Sequence, residues 1–375
     1  MPKNTSFIPY KEIVERVMSL GRVNANAVGK VRGIIQDIYS RDIPTKWDWN
    51  FLIASSSIVT TGEYRTGNAT ATTGSNIVHF SSDTVLIDSM NGRKIKFAGN
   101  EVVYQINSFA GVNSLQILPE FQGSENIQST SFSIFQPVYA LAGDFDRFPK
   151  DGGIYKWLGG QKYILSESPY QEYAENYTGS VSVPETVRIV GLDTAGNTLV
   201  EFSPPPRDTK VYSYDYLARL QPMQETSTGL LRGISARGVT VTFLGTSQFA
   251  ELNTDSKTIN YLRVDSFGDG QDSQWYPIIS YQGTSAATLN VAFANSAVTS
   301  SANYTISQIP NMPQMLHPAI LYGALAHIMM DQNDPNAKLY LERYQQVVMD
   351  AKKIFVSRTY SQDIHGIHEE FDYRR

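Results

Sequence analysis

Apolar residues recur at helical spacing at both ends of the chain and at alternate positions between them. From Tyr10 to Leu20 they fall at Ile13, Val14, Val17 and Leu20, one face of a helix, with Gly21 as a natural stop. A second run sets Val28, Val31, Ile35 and Ile38 at steps of three and four and is predicted to end before Pro44. Trp47-Asp48-Trp49-Asn50-Phe51-Leu52 follows, with aromatics suited to anchoring the helix pair. Near the C-terminus Pro318 sits where a first-turn proline belongs, and Ala319 to Met330 is apolar almost all round. A helix without a polar face is buried on every side, by a large core or by neighbouring subunits. Gly323, Ala324 and Ala326 let another backbone come close, which makes Ile320, Gly323, Ala324, Ala326 and His327 candidate subunit-packing residues. Asp331 to Pro335 predicts a tight turn with Asp334 as cap. Ala337, Leu341, Tyr344, Val348, Ala351 and Phe355 then form one stripe, completing a helical hairpin.

Between Val59 and Gln308 the period changes to two, with frequent turn residues. Val187 to Leu192 and Thr198 to Phe202 read as a hairpin around Asp193 to Asn197, ended by Pro204-Pro205-Pro206, and Lys210 to Tyr216 is a further strand. Inside this region Tyr104-Gln105-Ile106-Asn107-Ser108-Phe109-Ala110-Gly111 matches Tyr276-Pro277-Ile278-Ile279-Ser280-Tyr281-Gln282-Gly283, an offset of 172 residues. Phe132 to Gln136 faces Tyr304 to Gln308 at the same offset. Leu115-Gln116-Ile117 aligns with Leu289-Asn290-Val291 after a small slip, and Ile95-Lys96-Phe97 aligns loosely with Val264 to Phe267. The expected fold is therefore α+β. A domain of terminal helices and central hairpin (1–66, 138–232 and 310–358) carries two inserted copies of a small β module, at 74–137 and 238–309, and a tail at 359–375.

Composition narrows the function. There are 31 basic and 36 acidic residues, a net charge of −5, which disfavours a protein that wraps nucleic acid through a basic face. No apolar stretch approaches the ~18 residues of a membrane span. The opening residues lack the pattern of a signal peptide. The absence of cysteine removes disulfides, thiolate metal sites and thiol nucleophiles. His365 and His368 form a His-x-x-His pair, but no third ligand is suggested and Gly366 lies between them. Asp144-Phe145-Asp146 and Asp269-Gly270-Gln271-Asp272 read as solvated acidic turns, the latter lacking the closing Glu of a calcium loop. Neither a phosphate-binding glycine loop nor a nucleophile elbow is present; Gly152-Gly153 and Gly159-Gly160 are isolated turn pairs. No cofactor or metal is expected, and the balance favours a structural protein over an enzyme.

Several segments in order resemble the head-to-tail adaptor (connector, or head-completion) proteins of tailed bacteriophages. They are the N-terminal helices ending in Trp47 to Leu52 with the strand Ile58 to Thr61, Tyr139 to Arg147, and Pro184 to Tyr216. The series ends with Met315 to Ala326, the Asp-rich turn, and Tyr340 to Gln346. Ala142 stands where that family usually has proline, and the two β modules depart from its compact plan. The resemblance implies a ring, commonly of twelve subunits, docked between the portal and the tail tube or nozzle, with genomic DNA passing non-specifically through it. Such a protein is assembled in the host bacterial cytoplasm, resides in the neck of the virion and does not contact a membrane. The resemblance also implies that the C-terminal extension grips the portal, here through Ile364, Ile367, Phe371 and Tyr373. A peripheral virion β protein that binds a glycan or protein receptor through the repeated module is the competing reading, which exposed aromatics such as Phe109 and Tyr281 would favour. A carbohydrate-active enzyme using paired carboxylates is a third.

Overall fold

The computed structural model describes residues 8–167, 180–226, 229–244, 259–264, 274–283, 285–294, 297–298 and 302–356. Helices and strands both contribute, so the chain is α+β. It divides into two compact units, Ile53–Arg219 and Met1–Leu52 with Leu220–Arg375. Each unit contains one β-barrel.

In Ile53–Arg219, β1 (Ile53–Val59), β16 (Val211–Ala218), β11 (Ile154–Leu158) and β12 (Gln161–Ile164) form an antiparallel sheet in that order. β10 (Phe145–Arg147) pairs with the end of β16. A second sheet runs β13 (Ser166–Glu167), β14 (Thr186–Leu192), β15 (Thr198–Ser203), β9 (Val138–Ala140). Inward residues of both sheets, including Tyr139, Val200, Phe202, Tyr212, Tyr214 and Tyr216, make one core. Tyrosine suits this position because its ring is buried while its hydroxyl finds a partner. Tyr214 Oη accepts from the Ala142 amide at 2.8 Å, Tyr139 Oη accepts from the Thr61 amide at 2.9 Å, and Tyr216 donates to Asp144 at 2.6 Å.

The barrel of this unit contains β2 (Ala69–Ala71), β3 (Ile77–Phe80), β4 (Lys94–Phe97), β5 (Val103–Gly111), β6 (Ser114–Leu118), β7 (Ile127–Thr130) and β8 (Phe132–Phe135), paired β7-β2-β3-β6-β5-β4-β8. Its two end strands are successive pieces of one run, separated only at Ser131, so the sheet curls back on itself. The second unit has β17 (Gly229–Ile234), β18 (Thr240–Phe243), β19 (Asn260–Val264), β20 (Tyr276–Gln282), β21 (Ala286–Leu289) and β22 (Ala302–Gln308) in a closed barrel, β17-β18-β21-β20-β19-β22.

Strand for strand the two orders coincide, with β22 taking the place of β7 and β8 together. The registers coincide too. Ile106 faces Ile117 and Ser108 faces Gln116 across a bulge; Ile278 and Leu289, then Ser280 and Thr288, flank the same bulge 172 residues on. Tyr104 Oη accepts the Gln122 amide at 3.0 Å, and Tyr276 Oη accepts the Ala294 amide at 3.2 Å. Phe80 stacks on Phe132, and Phe243 on Tyr304, each at 4.9 Å between ring centroids. Gly74 and Arg237 occupy the same turn with φ of +81° and +56°.

Two of the expected alignments are corrected by these registers. Leu115-Gln116-Ile117 corresponds to Ala287-Thr288-Leu289 without a slip. Ile95-Lys96-Phe97 corresponds to Leu262-Arg263-Val264, since each trio bridges equivalent partners on both sides.

Beside the second barrel lie α1 (Tyr10–Leu20), α2 (Val28–Asp37), α3 (Ile43–Lys46), α4 (His317–Asp331) and α5 (Ala337–Phe355). Ile13, Val14 and Val17 of α1 are buried as the pattern requires, but Leu20 is half exposed at the frayed end. The left-handed residue that stops α1 is Arg22, not Gly21, with the Val23 amide donating to Met18 O. Gly21 is needed for another reason: a Cβ there would sit 2.8 Å from the Val17 carbonyl oxygen and 3.3 Å from Ile328 of α4.

Helical backbone does not end before Pro44. It widens into a π turn over Ile38–Asp42 and resumes as α3, with Pro44 in the first turn. A proline lacks an amide and crowds the carbonyl four residues earlier, and a wide turn relieves both faults. Asn333 at φ +56° caps α4, and α5 begins two residues after the expected Pro335 start because Asp334 closes a turn onto the Asn336 amide. Trp49 is fully buried, donates Nε1–H to Ile43 O at 2.8 Å and stacks between Trp47 and Phe51; Phe51 meets Phe355 of α5. α1 meets β22 through Lys11, whose Nζ donates to Thr305 at 2.8 Å, and meets β19 through Glu15, which takes both guanidinium nitrogens of Arg263 at 2.8 Å.

Tyr104 and Tyr276 hold equivalent amides, and Tyr104 Oη also accepts from Asn100 Nδ2 at 3.2 Å; Tyr104→Phe and Tyr276→Phe should each cost about 1–3 kcal/mol for an amide left without its acceptor. Denaturant unfolding of the two variants, compared with wild type, measures this; a loss outside that range at either site would overturn it.

Candidate functional site

α4 is the most apolar helix among the described residues, and the structure shows what covers it. Ile320, Ala324 and Leu325 are wholly buried, and Gly323 and Ala326 nearly so. At Gly323 an added Cβ would meet Ile38 at 3.1 Å and Tyr344 at 3.3 Å, so α2 with its π turn and α5 press on this side. α1 packs on α4 as well. The cover for Ile320, Gly323, Ala324 and Ala326 is thus the chain's own helices, and no neighbouring subunit is required to bury them. His327 is the exception and faces solvent.

His327 lines a groove of about 460 Å³ together with Ile34, Asp37, Ile38, Arg41, Asp42 and Thr45. The π turn places Arg41 and Asp42 there. Asp42 accepts the Tyr344 hydroxyl and lies 3.1 Å from Lys46, while Asp37 lies 3.9 Å from Arg41. Burial, followed by the Asp42 carboxylate, holds the Tyr344 pKa far above its ordinary value, so that hydroxyl keeps its proton. Asp42 is thus engaged by Tyr344 and Lys46, and Asp37 and Arg41 form an exposed pair. Among the described residues no group of three or more His, Asp or Glu could hold a metal ion. No helix among them is long and apolar enough to cross a membrane.

Other sequence-predicted positions distribute as follows. Ile364, Ile367, Phe371, Tyr373 and the His365/His368 pair lie outside the described residues, as does Asp269 to Asp272. Phe109 and Tyr281 are half-buried and packed against their own barrel cores, so neither is the open aromatic that receptor binding through the modules calls for. Asp144 is occupied by Tyr216, and Asp146 pairs with Arg147 at 2.9 Å.

One surface escaped the sequence reading. Gly159-Gly160, an isolated turn pair in the sequence, is the tip of the β11–β12 hairpin. β11 pairs with β16 only at Ile154 and Tyr155, so the outer half of the hairpin stands as a two-stranded ribbon. On it Trp157 is 60% exposed, Leu158 51%, Tyr163 44% and Ile164 49%. The signal was present as Trp157-Leu158-Gly159-Gly160 and Tyr163-Ile164, but apolar residues on both faces of a strand look the same whether the strand is buried or bare.

Against this geometry, no family model matches the sequence, and no curated protein or solved structure matches it.

Two consequences of the α4 environment are measurable. Ala324→Asp sets a carboxylate among the chain's own buried helices and should destabilise the isolated monomer by about 3–5 kcal/mol, read as a lowered denaturation midpoint. His317, at the start of α4, is fully buried beside the Met312 carbonyl, 3.1 Å from Nε2. Desolvation lowers its pKa, against the opposing pull of the Met312 and Pro310 carbonyls. The folded chain therefore keeps a neutral ring where the unfolded chain, with a pKa of about 6.5, takes up a proton. This group's contribution to stability is fully present above pH 6.5 and falls as pH drops below it. His317→Gln should flatten that slope in thermal unfolding between pH 7 and pH 5.

Proposed function

We propose that this chain is a structural virion protein of the neck of a tailed bacteriophage, an adaptor that forms a ring between the portal and the tail tube or nozzle and serves as a DNA conduit. One observation carries the reading. The N-terminal helices with their aromatic run and the C-terminal helical pair, the segments that resemble the adaptor family, pack into one cluster around α4. In this reading the terminal helices belong to the host domain, and 74–137 and 238–309 are two inserted copies of one β module. The coincident strand orders and registers of the barrels favour that duplication.

The charge balance is compatible with a conduit. At −5 the chain does not attract phosphates as a whole, which suits passage of DNA without capture. The ring is of twelve subunits by family resemblance, and the contacts that close it are heterologous, as in any cyclic ring. The portal-gripping role stays with Ile364, Ile367, Phe371 and Tyr373.

Negative-stain microscopy and mass measurement of the purified protein, alone and mixed with portal rings, test this. Rings with an open centre that co-sediment with portal are expected. Deleting residues 360–375 should leave the thermal midpoint unchanged and abolish co-sedimentation. A chain that stays monomeric in both conditions is not an adaptor.

A further inference from the structure

The barrels close their sheets, and the β13-β14-β15-β9 sheet ends in strands of two and three residues. Short edges of that kind are one way proteins blunt unpaired backbone. The β1-β16-β11-β12 sheet lacks such protection. β1 is seven residues, Ile-Ala-Ser-Ser-Ser-Ile-Val, with no charge, no proline and an unbroken register against β16. β12 is also bulge-free, and its lysine is drawn inward, with Lys162 Nζ 3.3 Å from Asp215 and 3.8 Å from the Tyr155 ring centroid.

The outward backbone groups can be assigned. The Leu165 amide donates to Ile154 O, so alternation points the amides of Lys162 and Ile164 to the open edge. The Thr60 amide donates to Lys210 O, which leaves Ile53, Ser55, Ser57 and Val59 facing outward on β1. No described strand pairs with either edge.

The sheet also exposes apolar residues. Val59 pairs with Val211, and Trp157 stands on the ribbon two residues beyond the last β11–β16 pair, Tyr155–Ser213. These three are 60%, 59% and 60% exposed. Exposed apolar residues that include a tryptophan have the composition of an interface core.

The partner follows from strand direction. The four strands are successively antiparallel, so β12 runs opposite to β1. A second copy placed beside the first therefore offers its β1 to β12 in antiparallel orientation, continuing the ladder. The two edges are different surfaces of one sheet, so the contact is head-to-tail and repeats around a ring.

We infer that the β12 edge of one copy pairs with the β1 edge of the next, and that the exposed ribbon, Trp157 foremost, is covered by that neighbour. The inference rests on the ring reading above and names the contact that closes it.

The chain has no cysteine, so introduced thiols report without background. Ile164→Cys combined with Ser55→Cys or Ser57→Cys, treated with a short bis-maleimide, should give a ladder of covalent multimers on a denaturing gel, whereas each single variant should stop at dimer or below. Ile164→Pro removes an outward amide without touching the ladder to β11. It should convert rings to monomers, by mass photometry in the presence of portal rings, with the thermal midpoint of the monomer unchanged. If that variant proves misfolded, the surface cysteine pairs decide. Wild-type rings with no ladder from either pair would overturn this contact and leave the ring reading intact. A wild type that never forms rings would overturn both.

Discussion

A fifteen-residue helix with no polar face, α4, sets the terms for the unit that holds it. Such a helix can exist in water only if most of it is covered, and here His327, Met330 and Asp331 near its C-terminal end are the exposed positions. The residues available to cover it come from opposite ends of the chain: Ile38 from the N-terminal helices and Tyr344 from the last one. Small residues at Gly323, Ala324 and Ala326 allow the cover to come close, and any side chain larger than hydrogen at Gly323 must displace Ile38 or Tyr344. The first and last helices are therefore joined through the burial of a third. The aromatic series from Trp47 to Phe51 ends on Phe355 and ties the exit of the last helix to the same cluster.

The barrels obey a different economy of contacts. In each, a buried tyrosine hydroxyl holds the amide of a loop that crosses the barrel end, and an aromatic from that loop stacks on the tyrosine, Phe121 on Tyr104 and Phe293 on Tyr276. Their last strands differ in surroundings. β22 is buried on both faces, because Thr305 and Ser307 meet Lys11 of α1. The equivalent Ser133 is half-buried and donates to Glu63 at the edge of its own barrel. One framework thus serves two environments by changing the polar residues on the outside of a single strand.

Much of this was legible in the sequence. The helices at both ends and the hairpin around Asp193 to Asn197 follow from period and turn chemistry. The errors share one cause. Aligning Leu115 with Leu289 instead of Ala287, or Ile95 with Val264 instead of Leu262, shifts a strand by two residues. A shift of two preserves which face each side chain takes, so hydrophobic alternation cannot detect it; only ladder partners can. The π turn was hidden for a related reason, because a proline after a helical run signals a stop equally well when a widened turn lets the helix continue. The bare β11–β12 ribbon was invisible because exposure belongs to the neighbours a strand lacks.

Apart from one extra residue at the bulge in β17, the barrels differ in length around one strand. Between Phe80 and Lys94 there are 13 residues, against 17 between the equivalent Phe243 and Tyr261. Between Phe97 and Val103 there are 5, against 10 between Val264 and Trp275. Both extensions leave every matched ladder pair in place. The framework therefore accepts added contour at either end of β4 without a change of register. In the first barrel the exposed turn at Ala98 and Gly99, after β4, is the natural site for grafting a peptide tag or a fluorescent reporter into the chain.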